Sequence, residues 1–168
     1  MTKPLIAITG ASSGIGEATA KAFAAAGHPL LLMARRLDRM QALDLPNCLC
    51  EKVDVRDRDA IATAVAKAEK TYGPVDCLFN NAGIARLADI GEQDPEEWDE
   101  TIDINIKGVM NALHPFIKSM KDRKGGTIVN MSSIAGRKVY PDHTVYCGSK
   151  YFVHAISCLL YTSDAADE

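Results

Sequence analysis

"LIAITGASSGIG", residues 5–16, joins an apolar run to a turn holding three glycines and little side chain between them. Leu5–Thr9 reads as a strand. Ile15–Ala26 reads as an Ala-rich helix, stopped by Gly27 in the position of a C-terminal cap. Backbone N–H groups at a helix start are unpaired, and the helix dipole is positive there. A strand that ends in glycines and opens such a helix is therefore a ready anion site. Gly10 permits the sharp turn; Gly14 and Gly16 let a pyrophosphate and the helix approach without a Cβ in the way. The spacing is G-x-x-x-G-x-G, which departs from G-x-G-x-x-G and lacks the Lys-Ser/Thr of a triphosphate-binding loop. On the glycines alone, a plain tight turn stays open.

The rest of the chain repeats this alternation. Pro29–Ala34 reads as a second strand, Leu37–Leu43 as a short helix and Cys48–Val53 as a third strand. Asp57–Tyr72 places Ile61, Val65, Ala68 and Tyr72 on one helix face and ends at Gly73. Val75–Asn80 is a fourth strand. Asp94-Pro95-Glu96-Glu97 opens a long helix with an Asp cap, a Pro at the first helical position and a Glu three residues after the cap. Its apolar face runs through Trp98, Ile102, Val109, Leu113 and Phe116, with a bend predicted at Pro115. Gly126–Met131 is a fifth strand and Val145–Leu160 a final helix. Strands buried on both faces and separated by helices predict a doubly wound parallel α/β sheet in a single domain.

Composition narrows the partners. The chain has 168 residues, is 47% hydrophobic and 24% charged, and carries a net charge of −3. No basic stripe points to nucleic acid, and no apolar run is long enough to cross a bilayer. Five cysteines without a C-x-x-C pair argue against a disulfide framework or a metal site, so a reduced, cytoplasmic setting is expected.

Three further features carry chemistry. First, strand two ends in Arg35-Arg36, where a dinucleotide-binding unit often has an acidic residue for the adenine ribose hydroxyls. Guanidinium groups there would hold a 2′-phosphate through charge-assisted forks, which favours NADP over NAD; two solvated surface arginines are the alternative. Second, Tyr146 and Lys150 sit four apart on one helix face. A tyrosine hydroxyl ordinarily ionises only near pH ~10, and an adjacent ammonium favours the tyrosinate, so the pair suits acid–base exchange at a carbonyl or alcohol. Third, strand five runs into Ser132-Ser133 at the carboxyl end of the sheet, where a serine can donate to a substrate oxygen.

Taken together, the chain resembles a short-chain dehydrogenase/reductase from Lys3 to about Ser157. The motifs are T-G-A-S-S-G-I-G, Val53-Asp54-Val55, N-N-A-G at 80–83, Asn105 within I-N-I-K-G, S-S-I-A-G at 132–136 and Y-C-G-S-K. The segment A-R-R-L-D-R-M is also similar to NADP-dependent members that oxidise serine and related 3-hydroxy acids. The resemblance implies a Rossmann-like fold and hydride transfer between NADP(H) and the carbonyl or alcohol group of a small molecule. It implies Tyr146 as proton donor and acceptor, and Lys150 as the group that tunes it and binds the nicotinamide ribose. Ser133 would polarise the substrate carbonyl. Asn105 would bend its helix and hold a water linking Lys150 to solvent. Cofactor contacts are expected from Gly10, Ser12, Ser13, Gly14, Ile15, Gly16, Arg35 and Arg36. Asp54 and Val55 would meet the adenine, and Asn81, Ala82 and Gly83 would line the groove beneath the adenine ribose. Asn80 is expected to bond neighbouring strands, Met131 and Cys77 to be core, and His143 and His154 to lie at the surface or substrate rim.

The family continues past the Tyr-Lys helix with further strands and a substrate loop. Residues 158–168 do not match that continuation and are expected to be a non-native tail on a domain, 1–157, that is incomplete at its C-terminus. Strand five would then be a bare edge. The parent is expected to be a homodimer or homotetramer. The alternatives to an active enzyme are a catalytically silent dinucleotide-binding module and an inactive fragment of the parent.

Overall fold

The computed structural model describes residues 3–165, with side chains described as far as residue 160. Five parallel strands form one sheet: β1 (Leu5–Thr9), β2 (Leu30–Ala34), β3 (Cys48–Lys52), β4 (Val75–Asn80) and β5 (Thr127–Asn130). Their spatial order is β3-β2-β1-β4-β5. The chain thus builds outward from β1 in one direction, then returns to its other side. Between β1 and β4 the order reverses, and at their carboxyl ends the sheet opens a crevice.

The period of two explains the core. Leu5, Ala7, Leu31 and Met33 face one side, packed with Ile61, Val65, Val109, Phe116 and Val153. Ile6, Ile8, Leu30 and Leu32 face the other, against Ala20, Ala24 and Met40. The first group packs α3 (Arg58–Tyr72), α5 (Gly108–Arg123) and α6 (Thr144–Ala165) on the sheet; the second packs α1 (Gly14–Ala25) and α2 (Leu37–Gln41). Each such fully buried Leu or Ile contributes roughly 1.5–3 kcal/mol.

Several expectations need adjustment. The long helix is not uniform: α4 (Pro95–Ile102) passes into a π-helical turn, Asp103–Lys107, before α5. α5 runs through Pro115 to Arg123. Asp94 caps α4 by accepting from Glu96 N, as the sequence predicts. α2 ends two residues early, because Asp44 and Asn47 take left-handed backbone angles just beyond it. The strands are not all buried on both faces. β3 is half-buried along most of its length, and in β5 Thr127 and Val129 are exposed, because both strands lie at sheet edges. The last helix runs five residues past the predicted Leu160, so residues 158–165 of the expected tail are helical backbone; 166–168 lie outside the described residues.

Gly16 is the tightest point of the opening turn. A Cβ there would fall 2.4 Å from the Gly10 carbonyl oxygen and 2.7 Å from Asn81 Nδ2. Gly16→Ala is expected to cost roughly 1–3 kcal/mol through this overpacking. A denaturant melt of the variant reads it directly; a midpoint equal to wild type would contradict the packing.

Candidate active site

The crevice is a groove of about 520 Å³ at the carboxyl ends of the strands. The glycine turn forms one wall. Gly10 has φ +66°, and a Cβ on it would meet Ala82 Cα at 2.9 Å, so the turn is pressed onto the end of β4. Thr9 and Asn81 tie the two strand ends together. Thr9 Oγ1 accepts from Asn81 N and Ala82 N, both at 3.0 Å. Asn81 Nδ2 donates to Thr9 O at 3.1 Å. Asn80 bonds its neighbours as expected, donating to Val109 O and Asn130 Oδ1. Thr9 opens the T-G-A-S-S-G-I-G motif, yet no functional role was expected of it.

At one end of the groove lie Arg35 and Arg36, with Ser12 and Ser13. Arg36 Nη2 donates to Ser12 Oγ at 3.0 Å and to Ser13 Oγ at 2.7 Å. Ser13 is the N-cap of α1, yet its side chain makes no capping hydrogen bond. The open amides of the helix start and a guanidinium therefore meet at one place, which suits a phosphate. Asp54 and Val55 line the adjoining wall. Asp54 accepts from Arg56 Nε and Nη2, and this bond, chiefly, holds its carboxyl below the usual range.

At the other end, Ser132, Ser133, Tyr146 and Lys150 line the groove together, with Asn81, Ala82 and Gly83 between the two ends. Ser133 caps a short 3-10 turn, Ile134–Gly136, by accepting from Ala135 N. Ser132 Oγ donates to Lys150 O at 3.1 Å, and a Cβ on Gly136 would fall 2.6 Å from the same carbonyl oxygen. These contacts dock α6 on the end of β5. Lys150 is buried, 6% exposed; its Nζ donates to Met131 O at 2.9 Å and lies 5.7 Å from the Tyr146 ring centroid. His143 stacks edge-on against Tyr146 at 6.3 Å. Met131, expected in the core, is half-buried and lines the groove.

The π-helical turn accounts for Asn105. One widened turn directs its amide off the helix: Nδ2 donates to Ile84 O and Ser149 Oγ, and Oδ1 accepts from Ile84 N. Ser149 Oγ in turn donates to Tyr146 O at 2.7 Å. Asn105 thus braces the floor of the groove and the first turn of α6. It does not line the groove wall, nor do Gly14 and Gly16; Ile15 does. Ile84, Ile104 and Ser149 are participants that the sequence reading did not single out; Ser149 stood inside Y-C-G-S-K.

Burial pushes the Lys150 ammonium below the ordinary lysine pKa. The unfolded chain then holds this proton to higher pH than the native one, so the linkage disfavours folding below the native pKa and fades as pH rises to the ordinary value. Lys150→Met is expected to melt at an equal or higher temperature than wild type at pH 7, with the difference shrinking as pH rises. Melts across pH check this; a lower melting temperature at pH 7 would contradict it.

The description short chain dehydrogenase belongs to the family model that matches residues 4–163. An uncharacterized oxidoreductase of Staphylococcus saprophyticus is 38% identical over 157 residues, covering 91% of this chain and 64% of that protein. A sulfoacetaldehyde reductase of Chromohalobacter salexigens is 41% identical, covering 89% of this chain and 62% of that protein. Among solved structures, the closed form of a serine dehydrogenase complexed with NADP+ superposes with a TM-score of 0.91 at 32% identity, over 95% of this chain and 66% of that one. The chain thus spans a little under two thirds of the length of these two curated relatives. With the match running over nearly its whole length, and the fold and groove described above, the chain belongs to the short-chain dehydrogenase family.

Proposed function

We propose that the protein is an oxidoreductase that exchanges a hydride between NADP(H) and the carbonyl or alcohol group of a small molecule. The observation that carries this reading is the meeting of Tyr146, buried Lys150 and the two serines in one groove whose far end holds Arg36, Ser12 and Ser13. The dinucleotide, when bound, supplies the hydride. The chain's own residues bind, orient and move the proton. The α1 start and the glycine turn receive the pyrophosphate. Arg35 and Arg36 take the 2′-phosphate, so NADP is preferred to NAD. Ser133 Oγ donates to the substrate oxygen, and Tyr146 Oη gives or takes the proton at that oxygen. Lys150 Nζ keeps positive charge beside the phenol and reaches the nicotinamide ribose.

Asn105 is a positioning residue in this reading. A silent binding module would have no use for an amide that locks the Tyr-Lys helix by way of Ser149. Asn105→Ala is expected to lower kcat roughly tenfold or more, with KM for NADPH little changed. Steady-state kinetics of the variant separate the two constants, and an unchanged kcat would contradict the bracing role.

The same reading extends to setting and assembly. The five cysteines, with no C-x-x-C pair in the sequence, favour a reducing cytoplasm. No helix among the described residues is long and apolar enough to cross a membrane. Self-association as a homodimer or homotetramer would use the long helix, where Ile102 and Met110 stay exposed. The test of the function is a screen of carbonyl compounds followed by NADPH absorbance, wild type against Tyr146→Phe. Turnover that survives the substitution unchanged refutes the reading.

A further inference from the structure

We propose that Cys48 and Cys50 form a two-thiolate site for a soft divalent cation of the zinc and cadmium type. They occupy alternate positions of β3 and so share one face of the strand. Their sulfurs lie 3.7 Å apart. Among the described residues β3 pairs with β2 alone, Cys48 opposite Leu30 and Cys50 opposite Leu32, and its other edge is unpaired. Both cysteines are half-buried against the Met40 side of the core, so the pair is held from one side and reachable from the other.

The spacing decides between the two ways such a pair can be bridged. Two tetrahedral metal–sulfur bonds of about 2.3 Å set the sulfurs about 3.8 Å apart, which is nearly the separation already present. A disulfide would require the sulfurs to close to about 2 Å, while Cα atoms two apart in a strand sit at roughly 6.6 Å, near the outer limit a disulfide spans. The sulfur separation already present is that of two thiolates on one ion, not that of a disulfide.

Binding of the cation to the two thiols gives a bis-thiolate complex and releases two protons, with no change of oxidation state. No third His, Cys, Asp or Glu joins the pair among the described residues. The remaining coordination positions are therefore left to water or a small thiol, and the site is open.

The test uses cadmium ion and the whole chain, without dinucleotide or substrate, so its failure leaves the functional reading untouched. Titration is followed by thiolate-to-cadmium absorption in the ultraviolet. A single ion per chain is expected, with affinity rising with pH. Cys48→Ser and Cys50→Ser are each expected to weaken binding roughly tenfold or more, while Cys158→Ser binds as wild type. Independently of any variant, cadmium should protect Cys48 and Cys50 of the wild-type chain from alkylation by iodoacetamide, read by peptide mass spectrometry. Undiminished alkylation of the pair at saturating cadmium, or serine variants that bind as tightly as wild type, would overturn the proposal.

Discussion

Replacing Tyr146 with Phe is expected to lower turnover roughly a hundred- to ten-thousandfold, the range lost when a positioned acid–base group is removed. The NADPH dissociation constant should stay within a factor of about two. The substitution deletes one hydroxyl and leaves the ring, so the edge-on contact with His143 and the approach of Lys150 Nζ to the ring are kept. The backbone carbonyl of residue 146 still accepts from Ser149. Binding rests on the other parts of the groove: the glycine turn, the arginines and the strand ends. Loss of turnover with retained binding therefore isolates the proton step. Equal loss of both would mean that Tyr146 holds the groove together, and unchanged turnover would remove it from the chemistry. Stopped-flow rates with the variant, beside a fluorescence titration of NADPH, give the two numbers.

The second large effect concerns the nucleotide. Arg36→Asp is expected to weaken NADPH by roughly a hundredfold or more, because hydrogen bonds to charged groups are worth about 1.5–3 kcal/mol each and the new carboxylate repels the 2′-phosphate. NADH should change by only a few-fold, since an acidic side chain there accepts from ribose hydroxyls. Arg36 is exposed, and its bonds to Ser12 and Ser13 are made by a side chain at the groove's rim. The fold therefore has little to lose, and the melting temperature should move by no more than a few degrees. Parallel titrations with the two nucleotides check the prediction. Matching losses for both would make the arginine a bystander to cofactor choice.

The sequence disclosed the fold where burial is symmetric and the site where motifs sit at strand ends. β1 and β2 are buried at every residue, so their apolar runs could be read directly. Gly10, Asn81 and Ser133 converge because parallel strands put all their carboxyl ends on one rim, and α6, docked on the end of β5, brings Tyr146 and Lys150 to the same rim. Less legible was anything set by hydrogen-bond choice rather than by periodicity. The π-helical turn at Asp103–Lys107 shifts the face between the two halves of the long helix: Ile102, expected on the apolar face, is 37% exposed, while Val109, Leu113 and Phe116 share the buried face of α5. The early end of α2 depends on left-handed angles at Asp44 and Asn47, which many residue sequences avoid. β5 reads as a buried strand from Ile128 and Val129, yet its place at the sheet edge leaves Val129 38% exposed. Strand order, which decides this, is not written in any one segment. Thr9 and Ser149 were passed over for a related reason: their roles lie in bonds to residues far along the chain, Asn81 and Asn105.

The central claim is that a dinucleotide lies along the carboxyl rim of the sheet, from the arginines to the tyrosine. Titration of the isotopically labelled chain with NADPH, followed by amide chemical shifts, tests it residue by residue. Saturable, one-to-one shifts are predicted at Gly10–Gly16, Arg36, Asp54, Asn81–Gly83 and Tyr146–Lys150. Absence of saturable shifts, or shifts gathered on α3 and the outer face of the long helix with the rim unmoved, would contradict it.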